Sequence, residues 1–444
     1  MNGHSERARQ WVHIGSSAFA LLLRTISWRQ AALLAIVALL FNAFALPRVG
    51  GRHLYRAADR ARGFPLGILL YPLSVLLLIL FFQARLDLVA AAWGILAFGD
   101  GFATLVGHHV RSAPLPWNRD KSVAGTVAFV VCGGGAGIAL ALWVRPAIGP
   151  VASIEMLVAA TAVAAVTAAF VESIPVRLDD NLSVPFAAAV ILWASTLVDA
   201  AAAESSWRET VLGILPWSIA FNAVIAWLGY RARTVSISGM IGGAVVGILI
   251  FAAGGPNAWT LLFLTFLAAT VSSRLGLARK TRLGIAEAKG GRRGAGNAFA
   301  NCGVAALAAA FAAATTYPAE ALLALTASLV AGGSDTVASE VGKAWGRRTL
   351  LVTSLRRVPP GTPGAMSLEG TVAGIASAAL LAAIAVVLGL VGRHAIVPIV
   401  IAATAGALVE SALGATLEGP GILNNDMLNF INTAVAAVAV LWFV

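Results

Sequence analysis

The chain has 444 residues, 59% of them hydrophobic and 11% charged, and its mean hydropathy is +0.86. Soluble domains carry roughly a quarter charged residues, so no water-soluble fold of this size hides so much apolar surface. The bilayer is the expected solvent, and the formal charge of +11 reads as cationic loops held against anionic lipid rather than as a nucleic-acid-binding face.

Backbone groups inside a bilayer must be satisfied within each span, so the spans are read as helices and the fold class as all-α. In chain order the apolar runs are 12–24, 30–47, 65–83, 87–107, 123–144, 149–171, 183–203, 210–230, 234–254, 257–273, 297–316, 319–342, 368–391, 395–416 and 427–444. That is about fifteen transmembrane helices, the first of them short. No cleavable signal peptide is evident, because the first ten residues are polar. Cys132 and Cys302 fall inside apolar runs and read as small packing residues.

Positive charge sets the orientation. With the N-terminus cytoplasmic, 25 of the 31 Lys and Arg fall in inside segments and six fall outside. The long inside loops are 48–64, 108–122, 274–296 and 343–367. The unusual polar motifs lie in them or at their edges, so the working face is expected to be cytoplasmic.

Two stretches match in order and spacing. GDGFATLVG (99–107), KSVAGT (121–126), Glu172–Ser173 and DDNLSVP (179–185) recur as GSDTVASEVG (333–342), MSLEGT (366–371), Glu410–Ser411 and NNDMLNF (424–430). The offsets are 235, 245, 238 and 245. Each set covers five spans, and each is preceded by an Arg-rich loop ending Arg-Gly, at Arg62–Gly63 and Arg293–Gly294. This predicts a parallel internal repeat of five helices.

Ionisable groups on apolar helices are expensive, so they default to functional candidates. Asp100 and Asp335 follow small residues and could hold a hydrated divalent cation that bridges phosphates. After each comes a phosphate-binding loop. The first has Arg119, Lys121 and Ser122, with Gly125 and Thr126 opening a helix; the second has Lys343, Arg356, Arg357 and Ser367, then Gly370 and Thr371. Helix N-termini and Arg or Lys donors suit anions. The turns Asp179–Asp180–Asn181 and Asn424–Asn425–Asp426 are expected to contact metal or nucleotide, although helix capping also explains such residues. Carboxylates beside phosphate ligands at a membrane face suit phosphoryl or nucleotidyl transfer to a membrane-dissolved acceptor. There is no Walker A motif.

Residues 1–205 resemble the dolichol kinase and phytol kinase family, relatives of CTP-using cytidylyltransferases. The matching pieces are RQWVHIG (9–15), GDGFATLVG, KSVAGT and the run from Glu172 to Pro185. Residues 210–444 resemble the DUF92 family, which includes a phytyl-phosphate kinase. Here the matches are NAFANCGVAAL (297–307), SDTVASEVGK (334–343), RRVPPGTPGAMSLEGT (356–371), ESALGATLE (410–418) and NNDMLNFINT (424–433). The resemblance implies CTP as phosphoryl donor, Mg²⁺, and prenyl alcohol and prenyl phosphate as acceptors, in a fused chain that makes the monophosphate and then the diphosphate. It implies Asp100, Asp335 and Asp180 as catalytic residues. Metal ligands would be Asp100, Asp179, Asp180, Asp335 and Asp426. The nucleotide contacts would be Arg119, Lys121, Ser122, Gly125, Thr126, Glu172 and Asn181 in the first half. In the second they would be Glu340, Lys343, Arg356, Arg357, Ser367, Gly370, Thr371, Glu410 and Asn425. His13, at the start of the first span, is a further candidate. The setting implied is a bacterial inner membrane with the active face cytoplasmic. A CDP-lipid-forming cytidylyltransferase and a transporter are the rival readings.

Overall fold

The computed structural model describes residues 3–49, 66–145, 153–175, 177–286 and 291–443. The Arg62–Gly63 motif and part of the 274–296 loop lie outside them. The described chain is mostly helical and divides into two compact units, residues 1–197 and 198–444.

In the first unit, α1 (Gly3–Ser16) runs into a 3₁₀ segment, Ser17–Arg24. Then come α2 (Trp28–Leu40), α3 (Leu66–Phe81), α4 (Leu86–His109), α5 (Val123–Val144), α6 (Ile154–Ser173) and α7 (Asp180–Ser195). Local chemistry sets the starts. Ser27 and Gln30 form a reciprocal capping box ahead of α2. Ser153 and Asp179 cap α6 and α7 through their side chains. α4 is the central helix: Val89–Ala92 and Ile95–Ala97 are wholly buried. Such close packing needs small residues, and a Cβ on Gly94 would lie 2.9 Å from the Gly137 nitrogen of α5.

The second unit contains α8 (Ala200–Glu209), α9 (Leu215–Arg231), α10 (Ile237–Arg274), α11 (Leu277–Arg282), α12 (Ala295–Ala314) and α13 (Pro318–Trp345). They are followed by α14 (Leu368–Val387), α15 (Arg393–Glu418) and α16 (Asn425–Phe443). Here α13 is central and packs on α12, α14, α15 and α16.

Ten helices among the described residues are long and apolar enough to cross a membrane, so the chain is an integral membrane protein. Helices α3 and α7 are shorter, at 16 residues each. The first expected span, 12–24, is not one regular α-helix but the end of α1 and the 3₁₀ turn. The expected spans 234–254 and 257–273 share α10, whose 38 residues break at Gly255, with φ +81°, before Pro256. Asn222 shows what the break does. Its Oδ1 accepts from Trp259 Nε1 at 2.8 Å, while a Cβ on Gly247 would fall 2.1 Å from the same oxygen. Twelve residues of straight helix would separate 247 and 259 by ~18 Å. The chain therefore doubles back at Gly255, and the two arms of α10 lie side by side.

The all-α expectation omits one element. β1 (Thr349–Leu351) pairs antiparallel with β2 (Ala365–Ser367). The pair closes the loop that carries Pro359, Pro360, Gly361, Thr362, Pro363 and Gly364. Three-residue strands are too short to leave a period-two pattern in sequence.

Candidate active sites

In the first unit, α4, α6 and α7 bring Asp100, Glu172 and Asp180 together, with a carboxylate oxygen of each within 4.8 Å of the others. The glycines beside Asp100 admit protein rather than ligand: Ile14 fills the space at Gly101, and the Phe129 ring fills that at Gly99. Both contacts fix the register of α4 and hence the height of Asp100. Glu172 ends α6, where Trp117 Nε1 and Asn118 Nδ2 bind Ser173 Oγ and O at 3.0 Å each. Those bonds hold the 110–122 loop down so that Lys121 pairs with Glu172. Burial lowers the Lys121 pKa, Glu172 and then Asp180 raise it, and the balance leaves it above the ordinary lysine value. Beside them, Ser122 caps α5 by accepting from Gly125 N at 3.2 Å, and Thr126 Oγ1 donates to Ser122 O.

Asp179 stays outside the carboxylate group. Its Oδ1 accepts from Asn181 N at 3.0 Å and Nδ2 at 2.8 Å, and its other oxygen faces Gly67. Its visible role is the cap. Asn181 Oδ1 is buried without a hydrogen-bond partner. Arg119 is exposed. His13 Nε2 lies 3.8 Å from Asp100 Oδ2, and its ring meets Tyr71 edge-on at 4.6 Å. Tyr71 in turn accepts from Trp93 Nε1 at 2.7 Å.

An apolar cavity of about 600 Å³ opens from this group, with Asp100, Asn181 and His13 in its wall. Its wall on α3 runs from Gly67 to Ile79, twelve residues or ~18 Å. Polar groups at one end and a long apolar recess at the other suit an amphipathic ligand.

The second unit has a polar cavity of about 270 Å³. Asp335, Lys343, Ser367, Gly370, Thr371, Glu410 and Asn425 line it. Local chemistry repeats that of the first unit: Ser367 accepts from Gly370 N at 3.1 Å, Thr371 Oγ1 donates to Ser367 O at 2.9 Å, and Asn424 caps α16. Asp426 instead packs over Gly296 at the start of α12. Among the sequence differences between the two motifs, the position of Lys121 in KSVAGT is held by Met366 in MSLEGT. Glu410 Oε2 is buried without a hydrogen-bond partner.

Three expected contacts are not in this cavity's wall. Arg356 and Arg357 are exposed on the hairpin loop. Glu340 is buried and bound by Lys280 and Lys343, which ties α11 to α13. Lys280 itself is only 1% exposed. Burial of a charged pair demands partners of this kind. Arg293 and Asn297, which are not among the site residues expected from sequence, line both this cavity and an apolar one of about 380 Å³. The Arg-Gly motif at 293–294 and the family-like string that opens at Asn297 are the signals that point there.

A carboxylate trio with hard oxygen donors fits a divalent cation such as Mg²⁺. It is the one such group among the described residues.

Residues 220–437 match the family model for integral membrane protein DUF92. An uncharacterized membrane protein of Synechocystis is 36% identical over 242 residues, 53% of this chain and 93% of that protein. The chloroplastic protein VTE6 of Arabidopsis thaliana is 33% identical over 245 residues, 53% of this chain and 71% of its own length. Phytol kinase 1 of Arabidopsis thaliana is 32% identical over 131 residues, 29% of this chain and 43% of that protein. No solved structure matches. With more than nine-tenths of the Synechocystis protein matched by membrane helices of this kind, the chain belongs to the DUF92 family of integral membrane proteins.

Proposed function

We propose that this protein phosphorylates a long isoprenoid alcohol to the monophosphate and then the diphosphate, with CTP as donor. The observation that carries the reading is the carboxylate group of Asp100, Glu172 and Asp180, of which Asp100 stands in the wall of an apolar cavity. The phytol kinases among the relatives support the acceptor class. On this reading residues 1–205 are the alcohol kinase and residues 210–444 the monophosphate kinase. The chain crosses the membrane about fifteen times with its N-terminus cytoplasmic, and the halves are a parallel repeat.

In the first step the prenyl hydroxyl oxygen attacks the terminal phosphorus of the nucleotide. An O–P bond forms, the bond to the β-phosphate oxygen breaks, and the nucleoside diphosphate leaves. Asp100, Glu172 and Asp180 would hold Mg²⁺, which when bound neutralises phosphate charge. Lys121 and the amides opening α5 hold phosphate oxygens. Asp180 carries no ion pair among the described residues, and the oxygen it does not give to the cation would take the hydroxyl proton. The apolar recess holds the tail and excludes water from the reacting group.

In the second step the acceptor is already an anion and no proton need leave. This matches Asn425 standing where the first half has Asp180. Asp335 and Glu410, both in the wall of the polar cavity, would face a cation that neutralises phosphate charge, with Lys343 and the α14 amides on the phosphates.

The test is to supply geranylgeraniol or phytol, Mg²⁺ and γ-labelled CTP to the purified protein and separate the lipids. Label in both prenyl monophosphate and diphosphate is expected. Diphosphate released from CTP with a CDP-lipid product, when a lipid phosphate is supplied as acceptor, would replace this reading by the cytidylyltransferase. Absence of CTP turnover with every acceptor would favour transport.

A further inference from the structure

The second unit holds its apolar and polar cavities side by side, and Arg293 lies in the wall of both. Among the residues lining the apolar cavity it is the one that carries a charge. Its backbone is pinned on both sides: Arg293 N donates to Thr234 O, and Ser236 N donates to Arg293 O, each at 3.0 Å. Gly239 makes that approach possible, since a Cβ there would fall 2.0 Å from Arg293 O. The side chain then reaches toward the cavity, 6.0 Å above the Phe266 ring, with Nη2 at 3.4 Å from Ser273 Oγ. Phe266 is itself a wall of the apolar cavity.

Below this level the cavity has a measurable depth. Its wall on α10 descends from Gly239 to Gly247, and Asn222 and Trp259 close the far end. From Ser236, level with Arg293, to Gly247 is eleven residues, ~16 Å of helix. A lipid tail lying there brings its head to the level of Arg293.

We infer that Arg293 binds the phosphate of a prenyl monophosphate and so selects the acceptor of the second phosphorylation. This rests on the two-step reading above. A guanidinium offers a fork of donors matched to phosphate oxygens, and little to a neutral hydroxyl. Asn297, one helical turn along α12 and also shared by both cavities, adds an amide donor on the same side. With the head held there, a non-bridging phosphate oxygen attacks the terminal phosphorus of the nucleoside triphosphate in the polar cavity. The new P–O–P bond forms as the bond to the nucleotide's β-phosphate oxygen breaks.

The same chemistry could come from the donor, because nucleotide phosphates also bind arginine. The two sources separate kinetically. The experiment uses the full-length protein in detergent with geranylgeranyl monophosphate and CTP, for wild type, Arg293→Gln and Arg293→Lys. Loss of charge-assisted hydrogen bonds predicts a KM for the prenyl monophosphate raised ~10–100-fold in Arg293→Gln, with the KM for CTP moved less than about threefold. Arg293→Lys recovers part of the loss, because charge remains while the fork geometry does not. A rise confined to the KM for CTP assigns Arg293 to the donor and overturns the inference. So does an unchanged KM for the monophosphate in Arg293→Gln, and so does a failure of Arg293→Lys to recover anything. If the wild type phosphorylates the alcohol but never the monophosphate, the two-step reading itself fails, and this inference with it.

Discussion

Three carboxylates within 4.8 Å of one another repel, and the size of that repulsion makes a sharp prediction. At an effective dielectric of ~20, two unit charges 4.8 Å apart cost ~3.5 kcal/mol. Asp180→Asn removes two of the three pairs, ~7 kcal/mol if all three groups are ionised. Protonation caps the real cost, since a group shifted by one pKa unit gives up only ~1.4 kcal/mol. The attraction between Asp180 and Lys121 is lost as well. A net gain of ~1–2 kcal/mol remains for the cation-free protein, or a rise of ~2–8 °C in apparent Tm. In saturating magnesium the sign reverses. The wild type gains ~2.7 kcal/mol at a cation concentration 100 times Kd, and Asp180→Asn loses a ligand and with it most of that gain. Asp179→Asn is the control one residue away. It caps α7 as well as Asp does and lies outside the group, so its Tm in EDTA should match wild type. The assay is thermal unfolding in detergent, with EDTA and with excess magnesium. A lower Tm for Asp180→Asn in EDTA, or magnesium stabilisation equal to wild type, would refute the argument.

Three further outcomes follow from particular contacts. Lys121→Met leaves the buried Glu172 carboxylate without its cation and should cost ~3 kcal/mol; adding Glu172→Gln should restore part of it, and strictly additive losses in thermal unfolding would contradict the pairing. Gly243 lines the second apolar cavity, and a Cβ there meets nothing within 4 Å; Gly243→Leu should therefore fold normally, shorten the recess and move preference from geranylgeranyl toward geranyl monophosphate, read as the ratio of kcat/KM values. Gly364 has φ +70°, and a Cβ would fall 2.3 Å from Ser411 O; Gly364→Ala should cost at least ~1–3 kcal/mol from backbone strain alone and lower monophosphate phosphorylation more than alcohol phosphorylation, measured side by side.

What the sequence revealed, and what it hid, follows the range of the interactions. Composition alone announces a membrane protein. The Ser-x-x-Gly starts at Ser122 and Ser367 are legible because a cap acts over three residues. The meeting of Asp100, Glu172 and Asp180 is another matter. Glu172 is 72 residues from Asp100, and only the packing of α4, α6 and α7 brings them together. The family resemblance implies Glu340 as a nucleotide contact because it lies in SDTVASEVGK; its partner Lys280, 60 residues away, has no sequence signature. Arg293 is hidden by its company, since one arginine in a basic loop looks like any other positive anchor. The reversal at Gly255 left a better trace, for Gly-Gly-Pro inside an apolar run is a breaker signal, and it separated the expected spans at nearly the right residue.

On the proposed repeat, three of the differences between the two halves bear on the chemistry. Lys121 becomes Met366, Asp180 becomes Asn425, and Asn181 becomes Asp426. The first change removes the cation that Glu172 binds in the first half, and the aligned Glu410 accordingly keeps a buried oxygen without a hydrogen-bond partner; the second removes the proposed base. The third puts a carboxylate over Gly296, three residues after Arg293. A half that must deprotonate an alcohol keeps Asp180, a carboxylate free of any ion pair, beside the nucleotide. A half whose acceptor is already an anion can dispense with that base and needs a cation at the lipid head instead. On the proposed two-step function, the loss of Asp180 and the position of Arg293 would be two consequences of one change of substrate, from hydroxyl to phosphate.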